Sequence, residues 1–121
     1  MNLPSLSELT PYYSRTDLLK KVVEQIKKDF DWFHFEITFT GKEESPYQEL
    51  YNQILPLIDE LLNDDYPKLM AMLYRIDLDE EFLNKKLKEN HHVDTDEVIT
   101  DLILKRELQK VVIRVAYSNP E

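Results

Sequence analysis

A chain of 121 residues and 14.5 kDa has the size of one ordinary domain, large enough to close a single core without staples and too small for two. Its 24 acidic residues against 15 basic ones give a net charge of −9, which disfavours a phosphate backbone as partner, and its single glycine, Gly41, excludes the Gly-rich loops of dinucleotide and P-loop enzymes. The absence of cysteine removes disulfides, thiolate nucleophiles and cysteine zinc sites together, and it agrees with a reducing, cytoplasmic setting.

Hydrophobic residues at 42% beside charged residues at 32% describe a globular domain with a well-solvated surface. No apolar run approaches the ~20 residues of a membrane-spanning helix. The opening "MNLPSLSELTPYY" lacks the basic start and apolar stretch of a secretory signal, so residues 1–13 are expected to form an irregular arm leading into one helical domain over 14–121.

The first helix is expected in "TDLLKKVVEQIKKDF", where Leu18, Leu19, Val22, Val23, Ile26 and Phe30 share one stripe and Ser14 or Thr16 can cap it. The pattern then changes. In "DWFHFEITFTGKEES", Phe33, Phe35, Ile37 and Phe39 alternate with His34, Glu36 and Thr38, the period of a half-buried strand, and Gly41 punctuates its end. This extended aromatic segment, 33–39, needs something beside it, because a lone strand leaves its backbone groups unpaired. The candidates are "VVIRVAY" near the chain's end, a second copy of the chain, or an irregular packing as a plug between helices, which is the favoured form together with a short edge strand.

Helical spacing resumes at "SPYQEL", with Ser45 as N-cap, Pro46 at the first helical position and Gln48 where a capping box places it. Leu50, Ile54, Leu57, Ile58 and Leu61 trace its buried face, and Pro56 predicts a kink or a break. A third helix starts after Asp64 or Asp65 and buries Leu69, Met70, Leu73 and Ile76. A short fourth one, capped by Asp79, carries Phe82, Leu83 and Leu87, with Leu78 placed to staple onto Leu83. The longest helix is expected in "TDEVITDLILKRELQKVVIRVAYS", although the β-branched "VVIRVAY" also reads locally as a strand.

Before that helix lies "ENHHVDTDEV", whose density of His, Asp and Glu raises the question of a metal. Adjacent histidines point about 100° apart on a helix and to opposite faces of a strand, so His91 and His92 could share one ion only in an irregular loop. His92 with Asp96 is the best helical pairing. Asp94, Thr95, Asp96 and Glu97 have a competing role as the cap and acidic first turn of the last helix. The calcium loop fails on spacing: started at Asp94, it would put Ile99 where glycine is needed and Lys105 where the bidentate glutamate belongs. His91, His92, Asp94 and Asp96 are therefore read as helix-entry residues first and metal ligands second, and no cofactor is expected.

The other clusters read the same way. "LYRIDLDEE" gathers Tyr74, Arg75, Asp77, Asp79 and Glu80 at a helix junction, where a solvated cap is a simpler account than an acid–base pair. His34 could act as a base, but no serine or threonine is marked as a nucleophile. On the last helix Arg106, Lys110 and Arg114 form an i, i+4 stripe beside Lys105. It complements the helix dipole and could dock an acidic partner.

The stretches "TGKEESPYQELYNQILPLIDELL", "LMAMLYRID" and "DLILKRELQKVVIRVAYS" resemble a group of short, uncharacterised bacterial helical proteins with the same order of elements, over about two-thirds of the chain. The resemblance implies a helical fold and brings no activity with it. The expectation is thus a mainly α, single-domain bundle of about five helices with one extended aromatic segment, acting as a protein-interaction or regulatory module without catalytic activity. The partner would be a protein, not nucleic acid or membrane, and the chain would be a monomer or a homodimer, with Arg106, Lys110, Arg114, Phe35 and Ile37 as contact candidates. The alternatives are an acidic inhibitor or immunity-type protein bound to a basic enzyme, and a metal-binding protein or enzyme using the cluster from His91 to Glu97.

Overall fold

The computed structural model describes residues 5–30, 37–42 and 45–118. These build a mainly α, single-domain bundle of five helices: α1 (Thr16–Asp29), α2 (Pro46–Asp64), α3 (Tyr66–Arg75), α4 (Glu80–Glu89) and α5 (Thr95–Ser118). The centre is α5. It packs against α1, α2, α4 and the first N-terminal turn, while α3 folds back on α2. Residues on most sides of α5 are buried accordingly, from Val98, Ile99 and Thr100 through Leu102, Ile103 and Leu104 to Leu108, Val111 and Val112. The β-branched "VVIRVAY" is helical throughout, because the contacts of a central helix outweigh its local strand preference.

The starts of α2, α3 and α4 are set where a short polar side chain can take an orphan amide. Ser45 accepts from the Gln48 N–H at 3.3 Å, Asp65 from the Lys68 N–H at 3.3 Å, and Asp79 from the Phe82 N–H at 2.8 Å. The start of α1 departs from expectation. Arg15 occupies the N-cap position in place of Ser14 or Thr16, and its guanidinium grips Asp17 in the first turn at 2.9 and 3.1 Å. Pro56 does not break α2: it lies on the exposed side, where the carbonyl of the exposed Asn52 that lacks its amide partner meets water. In α3 the core residue is Met72, fully buried, and Met70 is half-buried.

The end of α3 is a Schellman turn. The Leu78 N–H reaches the Leu73 carbonyl at 2.8 Å and the Asp77 N–H reaches that of Tyr74 at 3.0 Å, with Asp77 at φ 65° where glycine is commonest. Leu78 and Leu83 on either side of Asp79 are both buried.

The N-terminal arm expected over 1–13 takes, in its described part, the form of two 3-10 turns, Leu6–Glu8 and Thr10–Tyr12, and Leu9 between them is fully buried in the core.

Residues 33–36 of the extended aromatic segment, Phe35 and His34 among them, lie outside the described residues. In the part that follows, Ile37 is buried and Phe39 half-buried, whereas Thr38 and Thr40 are exposed, so the alternation holds without strand pairing. Two side chains of α2 serve its backbone instead. Gln53 accepts from the Thr38 N–H at 2.8 Å and donates to the Thr38 carbonyl at 2.7 Å, while the Glu49 carboxylate accepts the amides of Thr40 and Gly41 at 2.8 and 3.1 Å. Gly41 has φ 70°, and a Cβ there would stand 2.5 Å from the Thr16 methyl, so the close approach to α1 requires glycine.

Candidate functional site

Between the first 3-10 turn, α2, α4 and α5 lies a cavity of about 470 Å³, within the usual ligand-site range of roughly 300–1,000 Å³. Leu6, Val93, Val98 and Leu102 give it an apolar floor, and Tyr51, Glu97, Asp101, Lys86 and Lys105 bring hydroxyl and charged groups to its walls. Two of its polar groups, Asp101 and Lys105, belong to a cluster that reaches Tyr47 and Tyr13. The Tyr47 ring stacks on Tyr13 with centroids 4.1 Å apart, its hydroxyl donates to Asp101 at 2.5 Å, and Lys105 pairs with the same carboxylate at 2.8 Å. Tyr51 donates to the Glu97 carbonyl at 3.4 Å.

Burial first, and the Asp101 charge second, push the Tyr47 phenol far above its ordinary pKa, so it stays a neutral donor. The Tyr13 and Tyr51 phenols are raised for the same leading reason. Burial lowers the Lys105 pKa, and the Asp101 bond together with the Asp101 charge and the Tyr13 phenol outweighs it, so the net shift is upward and the lysine stays charged. The cluster fixes α2 and the N-terminal turn to α5.

A second polar cluster lies between α1 and α5. Lys110 Nζ stands 2.7 Å from Asp29 Oδ2 and 3.5 Å from Glu107 Oε1, the Gln25 amide donates to Asp29 at 2.9 Å, and Arg114 donates to the Gln25 oxygen. Arg106 turns the other way: it donates to the Ile76 carbonyl at 2.9 Å and pairs with Asp77 at 3.1 Å, satisfying the end of α3. The stripe of Arg106, Lys110 and Arg114 is therefore engaged within the chain, each cation on a different neighbour. Ile37 faces the core of its own chain, and Phe35 lies outside the described residues.

The ENHHV region forms the turn between α4 and α5. His91 and His92 are exposed, edge to face with centroids 5.7 Å apart. Asp94 is exposed and its carbonyl accepts the Val98 N–H as the helix begins, while Asp96 accepts the Glu97 N–H at 2.8 Å. Among the described residues no group of three or more His, Cys, Asp or Glu is gathered for a metal ion. At the other junction Tyr74 is 76% exposed and Asp79 caps α4.

The outer side of α2 carries exposed acidic charge. No lysine or arginine occurs between Pro46 and Asp64, and Asp59, Glu60 and Asp64 are exposed there, followed by exposed Asp65 and by Tyr66 at 46% exposure. Among the described residues no helix is long and apolar enough to cross a membrane. No family model, curated protein or solved structure matches the chain.

Sequence reading did not single out Tyr47, Asp29 or Glu107. Glu107 does leave a signal, a charged residue three positions after Leu104 and four before Val111 on an apolar face.

Proposed function

We propose that the protein is a cytoplasmic interaction or regulatory module without catalytic activity, and that it docks a basic protein segment on the acidic outer side of α2. The observation that carries this reading is the distribution of charge. Arg106, Lys110 and Arg114 are turned to intramolecular partners, while Asp59, Glu60 and Asp64 face solvent on a helix with no cation of its own, next to Tyr66. Complementary charge of this kind steers association, and a neighbouring tyrosine supplies contact area with an apolar body and a polar tip. The absence of cysteine supports the reducing compartment.

The same surface supports a second reading, an acidic inhibitor in which the basic partner is an enzyme. The two differ in whether capture of the partner abolishes an activity.

The test is capture from native cytoplasm by the wild-type chain and by a variant carrying Asp59→Lys, Glu60→Lys and Asp64→Lys, identified by mass spectrometry and repeated at raised salt. A basic protein held by the wild type, weakened by salt and lost with the variant is the expected result. Partners that are acidic, or that the variant retains equally, would overturn the proposal.

A further inference from the structure

Glu107 is 0% exposed on the face of α5 that meets α1. Its Oε2 is fully buried, and no donor among the described residues reaches it. The nearby ammonium belongs to Asp29, since Lys110 lies at 2.7 Å from that carboxylate and at 3.5 Å from Glu107. Gln25 adds a second bond to Asp29, and Arg114 orients the Gln25 amide by donating to its oxygen. Burial raises the Asp29 pKa, but the Lys110 and Gln25 bonds outweigh it and hold it below the ordinary value. Two carboxyl groups sharing one ammonium, one of them fully buried, cannot both carry charge without cost. Burial, then the hydrogen bond to Asp29, push Glu107 up to about 8, so at neutral pH it is an acid donating its proton to the Asp29 carboxylate.

We propose that Asp29, Glu107 and Lys110 form a proton-operated latch between α1 and α5, closed while Glu107 holds its proton and released when Glu107 gives it up. Among the described residues the charged groups facing Glu107 are Asp29 from α1 and Lys110 from its own helix. Loss of the proton to solvent base replaces an O–H···O bond with two carboxylates against one cation. The contact that fails is the last turn of α1. Release bares Ile26 and Phe30, both buried in the closed form, and offers apolar surface that the closed bundle hides.

The direction of the pH effect follows from proton counting. The fold retains a proton that the unfolded chain loses near the ordinary glutamate value of 4.5, so stability is fully present below 4.5 and is lost as pH rises toward about 8, levelling off beyond it. Within that window the folding equilibrium constant falls about tenfold per pH unit. Asp29 acts in the opposite sense and in a separate range: its contribution is present above 3.8 and is lost as pH falls through its lowered pKa.

The experiment follows the side-chain carboxyl carbons of the intact chain by NMR between pH 4 and 10, with amide exchange in α1 and denaturant unfolding of the wild type and Glu107→Gln. Expected are a Glu107 midpoint near 8, an unfolding constant that rises with pH in the wild type and not in the variant, and α1 exchange at pH 8.5 about tenfold faster in the wild type than in the variant. A Glu107 midpoint near 4.5, a pH slope that survives Glu107→Gln, or Glu107 titration without faster exchange in α1 would each overturn the latch. If Glu107→Gln does not fold, Asp29→Asn serves instead: losing the neighbouring charge must lower the Glu107 midpoint, and an unchanged midpoint would overturn the assignment.

Discussion

Lys105 and Lys110 on α5 each pair with an aspartate, and the third member of each cluster differs. Lys105 pairs with Asp101 on its own helix, and the Tyr47 hydroxyl from α2 donates to the same carboxylate. Lys110 pairs with Asp29 across to α1, and the third group is the buried carboxyl of Glu107. A phenol whose burial keeps it protonated is a donor at every ordinary pH. A carboxyl is a donor only while it keeps its proton. Two ion pairs of similar length thus make a permanent tie in one place and a conditional one in the other, and the third group decides which.

The largest effect that tests this contrast comes from the two lysines. Lys110→Ala should cost about 3 kcal/mol in denaturant unfolding, because it leaves Asp29 and Glu107 together without a cation. Lys105→Ala should cost at most about 1 kcal/mol, since its i, i+4 partner is half-exposed and keeps the tyrosine donor. Equal losses would mean that the clusters are equivalent.

Next in size is Tyr47→Phe. The ring and its stack on Tyr13 remain and the Asp101 carboxylate loses a donor, so the expected loss is about 1.5 kcal/mol. The loss should be the same at pH 6 and pH 9. A Tyr47→Phe penalty that changes across that range would show that this tie also titrates.

The smallest effect belongs to His91→Ala combined with His92→Ala. Both rings are exposed, so the unfolding free energy should move by less than about 0.5 kcal/mol and the pH slope should persist. A slope that vanished with the histidines would move the conditional behaviour from Glu107 to the turn before α5.

What could be read from the sequence follows the range of the interactions. Ser45, Asp65 and Asp79 act on amides three residues away, and their caps are legible from residue type and spacing. The apolar stripe of α1 is legible because one side of that helix faces solvent. The face of α5 is harder to assign, since a helix buried on most sides loses the contrast between its faces, and in α3 the apolar spacing points to Met70 where the core holds Met72, because both fall near the same stripe. Polar partners from distant parts of the chain left no periodic trace. Lys110 meets Asp29 across 81 positions and Tyr47 meets Asp101 across 54, and Arg106 and Arg114 likewise have intramolecular partners far away in sequence.

The paired hydrogen bonds between Gln53 and Thr38 fix more than one residue's backbone. A primary amide that reads both the N–H and the C=O of a single residue recognises one setting of the extended chain, and a slide by one residue would turn every side chain over. Glu49, one helical turn earlier, repeats the reading at Thr40 and Gly41. The outer surface of α2 therefore acts as a ruler for this segment. It sets Ile37 and Phe39 toward the core and the threonines toward water, a choice that a neighbouring strand makes in a sheet and that two side chains on a helix make here.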